Sequence, residues 1–246
     1  LKVLKNKKKV YTLLHSFTDL LFPRKCPVCG NRLTEWNETI CLHCLSTLPR
    51  TLYHQRRGNP FEQRFYGLVP IERAASYFFY TPENPVHKIL HELKYYGNTR
   101  MGIEMGRCMA THFQSGKTNF FEGIDLIVPV PLSTNRMKLR GYNQCSLLAK
   151  GISDVTGIPM GDESLVRTID NPTQTHLKSS KQRWENEKGI FDVNPQDIHK
   201  IQKKHILLVD DVSTTGATLS ACAQTILKAI PDCQISIATL AVAHDG

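Results

Sequence analysis

The chain has 246 residues, 41% of them hydrophobic and 22% charged, with a formal net charge of +9. This composition excludes a disordered or fibrous protein and suits one large domain, or a domain with an appendage. No apolar run reaches transmembrane length, and the charge is unevenly placed: residues 1–60 hold eleven Lys and Arg against three acids, which is +8 of the total.

The basic start (Lys2, Lys5, Lys7, Lys8, Lys9) leads into Val10–Phe22, where Val10, Leu13, Leu14, Phe17, Leu20 and Leu21 recur at helical spacing. The pattern predicts a basic amphipathic helix within residues 1–22, stopped by Pro23. His15, Ser16, Thr18 and Asp19 interrupt its apolar part, which makes a poor signal-peptide core, so a cytoplasmic location is expected. Residues 23–48 follow as a four-cysteine module. Cys26-Pro-Val-Cys29-Gly and Cys41-Leu-His-Cys44 are two C-x-x-C pairs separated by eleven residues. That spacing lets Cys26, Cys29, Cys41 and Cys44 converge on one tetrahedral zinc of the closed, structural kind. Four thiolates on one Zn²⁺ net −2, which lowers the local excess to about +6. His43 stands between two ligands as a bystander. The basic quarter suggests a contact with nucleic acid, with a solvated tail as the alternative.

Pro49–Glu72 is rich in Arg, Pro, Gly and Gln and reads as a linker. Tyr53 and His54 lie among Arg50, Arg56 and Arg57, a mixture that also suits single-stranded nucleic acid. The principal domain is expected over 73–246. It begins with a strand, Arg73–Tyr80, and two helices, Pro85–Tyr96 and Asn98–Phe113. A buried-strand run, Asp125–Pro131, then ends in a basic loop. The loop's Leu132, Ser133, Arg136, Lys138 and Arg140 offer three cations and backbone donors at a strand's carboxyl end, which suits a leaving diphosphate. Tyr142–Thr156 reads as a helix with Asn143 and Gln144 in capping positions. Arg167–Phe191 is a polar, cationic excursion before a strand-like Gly189–Val193. Cys108, Cys145, Cys222 and Cys233 read as isolated, small buried side chains.

The string His205–Leu219, HILLVDDVSTTGATL, carries the strongest signal. Ile206–Val209 read as a strand buried on both faces of a parallel sheet, with Asp210 and Asp211 at its carboxyl end. Ser213, Thr214, Thr215, Gly216, Ala217 and Thr218 then form a hydroxyl-rich turn into a helix, Leu219–Ile230, whose N-terminus is an anion site. Carboxylates for hydroxyls beside a cradle for a phosphate complement a ribose phosphate. The closing strand is Gln234–Val242.

This string resembles the phosphoribosyl-pyrophosphate (PRPP) signature of type I phosphoribosyltransferases. The resemblance implies that Asp210 and Asp211 hold the ribose hydroxyls and that Thr214 to Thr218 hold the 5′-phosphate. The chain as a whole resembles the competence ComF family. The match runs through Leu20–Cys29, Lys94–Gly97, Val128–Leu132, Arg140–Gln144 and the PRPP string. The segment with Thr173–Leu177, Arg183 and Asn186 is similar too. The family resemblance implies an α/β, type I phosphoribosyltransferase-like parallel sheet flanked by helices, with a small N-terminal zinc ribbon. It further implies Leu132–Arg140 as the pyrophosphate loop and Gln174, Lys178 and Arg183 as a hood over the anomeric carbon. Structural Zn²⁺, Mg²⁺ brought with PRPP, single-stranded DNA and a competence-system helicase are the implied cofactors and partners. The expected function is binding or transfer of a ribose 5-phosphate moiety in DNA uptake. A non-catalytic, zinc-containing DNA-binding accessory is the alternative. No catalytic residue is assigned.

Overall fold

The computed structural model describes residues 23–33, 39–116, 119–168 and 189–243. The expected N-terminal helix and the hood residues Gln174, Lys178 and Arg183 lie outside the described residues. The chain divides into two compact units, Leu1–Leu48 and Pro49–Gly246.

The first unit is built on backbone hydrogen bonds around its cysteines. Cys26 N–H donates to the Asn31 carbonyl and Gly30 N–H to the Cys26 carbonyl, each at 2.8 Å, and Lys25 bridges Arg32 in antiparallel fashion. Gly30 closes this turn with φ at +77°, a conformation glycine adopts without penalty. Cys41 then caps α1 (Leu42–Thr47), its Sγ accepting from the Cys44 N–H.

The second unit is a four-stranded parallel sheet with helices around it. Residues 49–72, expected as a linker, are instead part of it. The Arg50–Phe78 bridge lays the segment along the first strand, and a 3₁₀ turn (Tyr53–Gln55) and α2 (Pro60–Gln63) follow. Phe61 and Phe65 are fully buried. Asn59 and Glu62 supply what the apolar count lacks. The Asn59 amide donates to the Ala74 carbonyl at 2.9 Å, and Glu62 Oε1 accepts from the Ala74 N–H at 3.1 Å. Buried polar groups of this kind are stable only when so paired.

The strands are β1 (Arg73–Tyr80) and β2 (Leu126–Pro129), then β5 (His205–Ser213) and β6 (Gln234–Ala243), in sheet order β1-β6-β5-β2. All three ladders are parallel, with Val128 opposite Leu208 and Asp210 opposite Thr239. Ile206–Val209 are buried, as an apolar run covered on both faces requires. A separate antiparallel pair, β3 (Leu165–Arg167) and β4 (Phe191–Val193), flanks the segment outside the description. The helices are α3 (Val86–Tyr95), α4 (Thr99–Gln114), α5 (Thr134–Arg140), α6 (Gln144–Thr156), α7 (Ile198–Ile201) and α8 (Ala217–Ala229). Asn98 and Asn143 cap α4 and α6 by accepting from Met101 N–H and Cys145 N–H. Among the described residues, no helix is long and apolar enough to cross a membrane.

Two element boundaries differ from expectation. Thr134–Arg140, expected as loop, is helical, because Ser133 accepts from the Arg136 N–H at its start and Gly141 closes it in the left-handed region. Strand β5 continues through the acids to Ser213, since its partner β6 runs to Ala243 and keeps the ladder going.

Candidate functional site

The four-cysteine cluster is local in sequence and complete in space. The sulfurs of Cys26, Cys29, Cys41 and Cys44 all lie within 4.8 Å of one another, and Cys29 Sγ is 3.8 Å from Cys41 Sγ. A tetrahedron with Zn–S bonds of about 2.3 Å has edges of about 3.8 Å, so the donor set fits one zinc. Burial pushes the Cys26 thiol up, yet the N–H groups of Cys41, Cys29 and Val28 around it bring it down to about 7, which favours a thiolate. Burial, with the neighbouring cysteines, pushes the Cys44 thiol up, so a bound cation is what would hold all four sulfurs as thiolates. His43 is exposed and outside the cluster. One zinc per chain is the expected result of metal analysis. A chelator, or Cys44→Ser, should unfold residues 23–48 while leaving the second unit's melting transition in place. Full retention of first-unit structure after complete metal removal would sink the structural role.

The second site stands at the carboxyl ends of the parallel strands. Asp210 and Asp211 are only 8% and 4% exposed. Their surroundings come from three distant stretches. Lys94, in the last turn of α3, places its Nζ 2.9 Å from Asp211 Oδ2; the contact is an ion pair rather than a well-directed hydrogen bond. Cys145, in the first turn of α6, donates its thiol to Asp210 Oδ1 at 3.2 Å, and the Asp211 N–H donates to the same oxygen at 2.8 Å. Burial, then the neighbouring Asp211 charge, raises Asp210 to about 7; Cys145, the Asp211 N–H and Lys94 hold it from going further. Burial alone would lower the Lys94 ammonium, but the Asp211 charge, with Asp210 behind it, leaves it raised and firmly protonated. Burial and both acids raise Cys145, which stays a neutral thiol donor.

Neither Lys94 nor Cys145 was assigned a role from sequence. Lys94 reads as a helix-closing cation and Cys145 as a small buried residue. Only the topology brings them to acids 117 and 65 residues away. Lys94 did carry a signal: it opens the Lys-Tyr-x-Gly string.

Beyond the acids, Ser213 Oγ is buried with no hydrogen-bond partner among the described residues. Gly216 sits at φ +83° ahead of α8 and brings no side chain to cap it; the Ala217 N–H donates to Thr215 Oγ1 at 3.4 Å, and the N–H groups that follow are left uncapped for an anion. A Cβ on Gly216 would also come within 3.3 Å of the Phe65 ring. The turn is pinned from the 49–72 segment. The Arg64 guanidinium donates to the Thr214 carbonyl at 2.5 Å and to the Ala243 carbonyl at 2.7 Å.

The expected diphosphate residues are divided. Leu132 and Ser133 lead into α5 at the end of β2. Arg140 donates to Gln144 Oε1 at 2.9 Å, lies 5.6 Å from the centroid of the Tyr95 ring and is close enough to act on Lys94. Arg136 and Lys138 are exposed on α5. Asn143 is a cap, as expected, and its amide also donates to the Val130 carbonyl at 3.0 Å. Chemically the site offers two buried carboxyl groups for hydroxyls, an orphaned hydroxyl and an open helix N-terminus for a phosphate, and cations at one rim.

A double zinc ribbon domain model matches residues 17–67, and a phosphoribosyl transferase domain model matches residues 143–246. The chain is 30% identical to the DNA utilization protein YhgH of Escherichia coli K12 over 204 residues, spanning 82% of this chain and 84% of that one. It is 36% identical over 104 residues to Competence protein F of Haemophilus influenzae, covering 42% of this chain and 44% of the relative. It is 32% identical over 115 residues to Competence protein ComFC of Bacillus subtilis, covering 47% and 43%.

Proposed function

We propose, on the premise that the chain belongs to the ComF family of competence and DNA-utilization proteins, that its second unit binds PRPP and transfers the ribose 5-phosphate moiety in a process serving DNA. The observation that carries this reading is the buried pair Asp210–Asp211 set directly before a glycine-opened helix N-terminus. In this reading the pair accepts hydrogen bonds from the ribose hydroxyls, and the turn over Thr214 to Thr218, with Ser213, binds the 5′-phosphate. Lys94 is paired with Asp211 before the sugar arrives and shares it afterwards.

Transfer breaks the bond from C1 to the diphosphate oxygen, and both electrons leave with the diphosphate. An acceptor lone pair then forms the new bond to C1. Such a step asks for charge stabilisation and positioning more than for a strong base. Arg140, with Leu132 and Ser133 at the end of β2, meets the leaving charge, and the family resemblance assigns cover of the reacting carbon to Gln174, Lys178 and Arg183. Mg²⁺ carried by PRPP would screen the diphosphate. The cytoplasm, where PRPP is made and used, is the setting this reading implies. The alternative is a PRPP-responsive scaffold. It draws support from the acid pair, which Lys94 and Cys145 already occupy, leaving a site complete for binding without a base.

The decisive experiment incubates the full chain with PRPP and Mg²⁺, with and without single-stranded DNA and free bases. Calorimetric binding of PRPP, with diphosphate released only when an acceptor is present, is the expected result. Binding without release under any condition would favour the scaffold. Absence of both would overturn the PRPP reading.

A further inference from the structure

One surface of the second unit is not used by the acid pair, the phosphate turn or the sheet. It lies where the end of α3 meets the end of α5. The join is specific: the Tyr142 hydroxyl donates to the Leu93 carbonyl at 2.8 Å, and the Arg140 guanidinium sits over the Tyr95 ring. Tyr95 and Tyr96 are 60% and 67% exposed, and the His91 ring lies 4.7 Å and 5.4 Å from their centroids at tilted angles. Helix α5 buries none of its side chains. Apart from Arg140, which packs on Tyr95 and bonds Gln144, its side chains are therefore not explained by the core.

That composition is cationic. Over residues 86–100 and 131–142 there are six Lys and Arg (Lys88, Lys94, Arg100, Arg136, Lys138, Arg140) against one acid, Glu92. Lys94 is committed to Asp211. Exposed tyrosines fixed by a neighbouring guanidinium and imidazole, and bordered by cations, match two parts of one ligand. Unpaired bases have flat faces to stack, and the backbone between them carries phosphates. A duplex offers the phosphates but hides the base faces.

We infer that the corner formed by His91, Tyr95, Tyr96, Arg136, Lys138 and Arg140 is a docking platform for single-stranded DNA, placing the strand at the rim of the ribose-phosphate site. The inference rests on the reading that the protein serves DNA, and it locates the contact on the second unit rather than on the basic first quarter. Bases stack on Tyr95 and Tyr96, while Arg136 and Lys138 meet phosphates. Arg140 joins the platform to Lys94 and so to the acid pair.

The test uses the full chain and a labelled oligo-dT strand of about 20 nucleotides, with anisotropy read across a salt series. Tyr95→Ala with Tyr96→Ala should weaken the strand by about tenfold or more at every salt concentration, because stacking is lost and no charge is removed. PRPP binding by the same protein, read by calorimetry, should stay at the wild-type value. Arg136→Gln with Lys138→Gln should instead flatten the dependence of log affinity on log salt by roughly 1.4, about 0.7 for each lost phosphate contact. Wild-type affinity in the tyrosine variant would overturn the platform. So would a loss confined to a protein whose Lys2, Lys5, Lys7, Lys8 and Lys9 are changed to Gln. A chain that binds PRPP but ignores the strand refutes the platform and leaves the PRPP reading standing. A chain that binds the strand through the tyrosines but not PRPP does the reverse.

Discussion

Asp210→Asn together with Asp211→Asn should fold and fail to bind PRPP. Each substitution replaces a carboxyl group that would accept a hydroxyl's hydrogen bond, an interaction of about 1.5–3 kcal/mol once the carboxyl is ionised. The pair therefore accounts for a loss of roughly a hundredfold to ten-thousandfold in affinity, measured by calorimetry in the presence of Mg²⁺. Unchanged affinity would remove the acids from the site and with them the PRPP assignment.

The same acids also set how stability depends on pH. Asp210 rises from its ordinary 3.8 to about 7 in the folded chain, through burial and then the Asp211 charge. The folded state thus keeps a proton that the unfolded state releases. Stability from this group is whole below about pH 4 and is lost as pH climbs towards 7, by up to about 4 kcal/mol. Asp210→Asn keeps an oxygen for the Cys145 thiol and the Asp211 N–H without the charge. The unliganded single variant should therefore melt higher than wild type at pH 8, with the gap narrowing at pH 5 and closing as pH falls to about 4. A wild-type melting temperature that does not fall between pH 5 and pH 8 would contradict this account. On the PRPP reading, binding strength and fold stability are opposed at this one residue, as is common where a site is built to meet a ligand.

Gly151→Ala should be among the most damaging small substitutions in the chain. In an exposed helix the change normally helps by up to about 1 kcal/mol. Here a Cβ on Gly151 would lie 2.0 Å from the Ile103 carbonyl oxygen and 2.8 Å from the Arg107 nitrogen; one on Gly106 would lie 2.1 Å from the Leu148 carbonyl oxygen. The obstructing atoms are backbone, so no side chain can turn aside, and α4 and α6 must separate. A loss of about 3 kcal/mol or more is expected, which corresponds to a drop of roughly 6–12 °C in melting temperature. The reversed sign is the diagnostic. PRPP binding should weaken as well, because α6 carries Asn143 and Cys145 to the sheet end. A variant as stable as wild type would show that the two helices are not in this contact.

What could be read from sequence was what is contiguous. The zinc set lies within nineteen residues, Cys26 to Cys44, and the acids, turn and helix start form one uninterrupted string. The parallel sheet was legible because Ile206–Val209 have no polar face to turn outward. The residues that complete the acid site were not legible in that way. Lys94 and Cys145 have ordinary local explanations, and only a fold places them against Asp211 and Asp210. Residues 49–72 were misread because their apolar content is low, whereas their attachment depends on two aromatic anchors and on Asn59 and Glu62 saturating one residue of β1. Gly106 and Gly151 lie inside helical patterns, and only the fold shows which backbone each one meets.

The Arg64 tether bears on where this protein can be divided. The double zinc ribbon match extends to residue 67, past the end of the first compact unit at Leu48. A split placed by that homology, or at the first strand, would strip Phe61, Arg64 and Phe65 from the Ser213–Thr218 turn and leave Thr214 and Ala243 without their shared clasp. The interchangeable piece is therefore 49–246. A chimera that exchanges metal-binding modules between relatives should be joined at Leu48–Pro49, where the graft leaves the Asp210–Asp211 site whole.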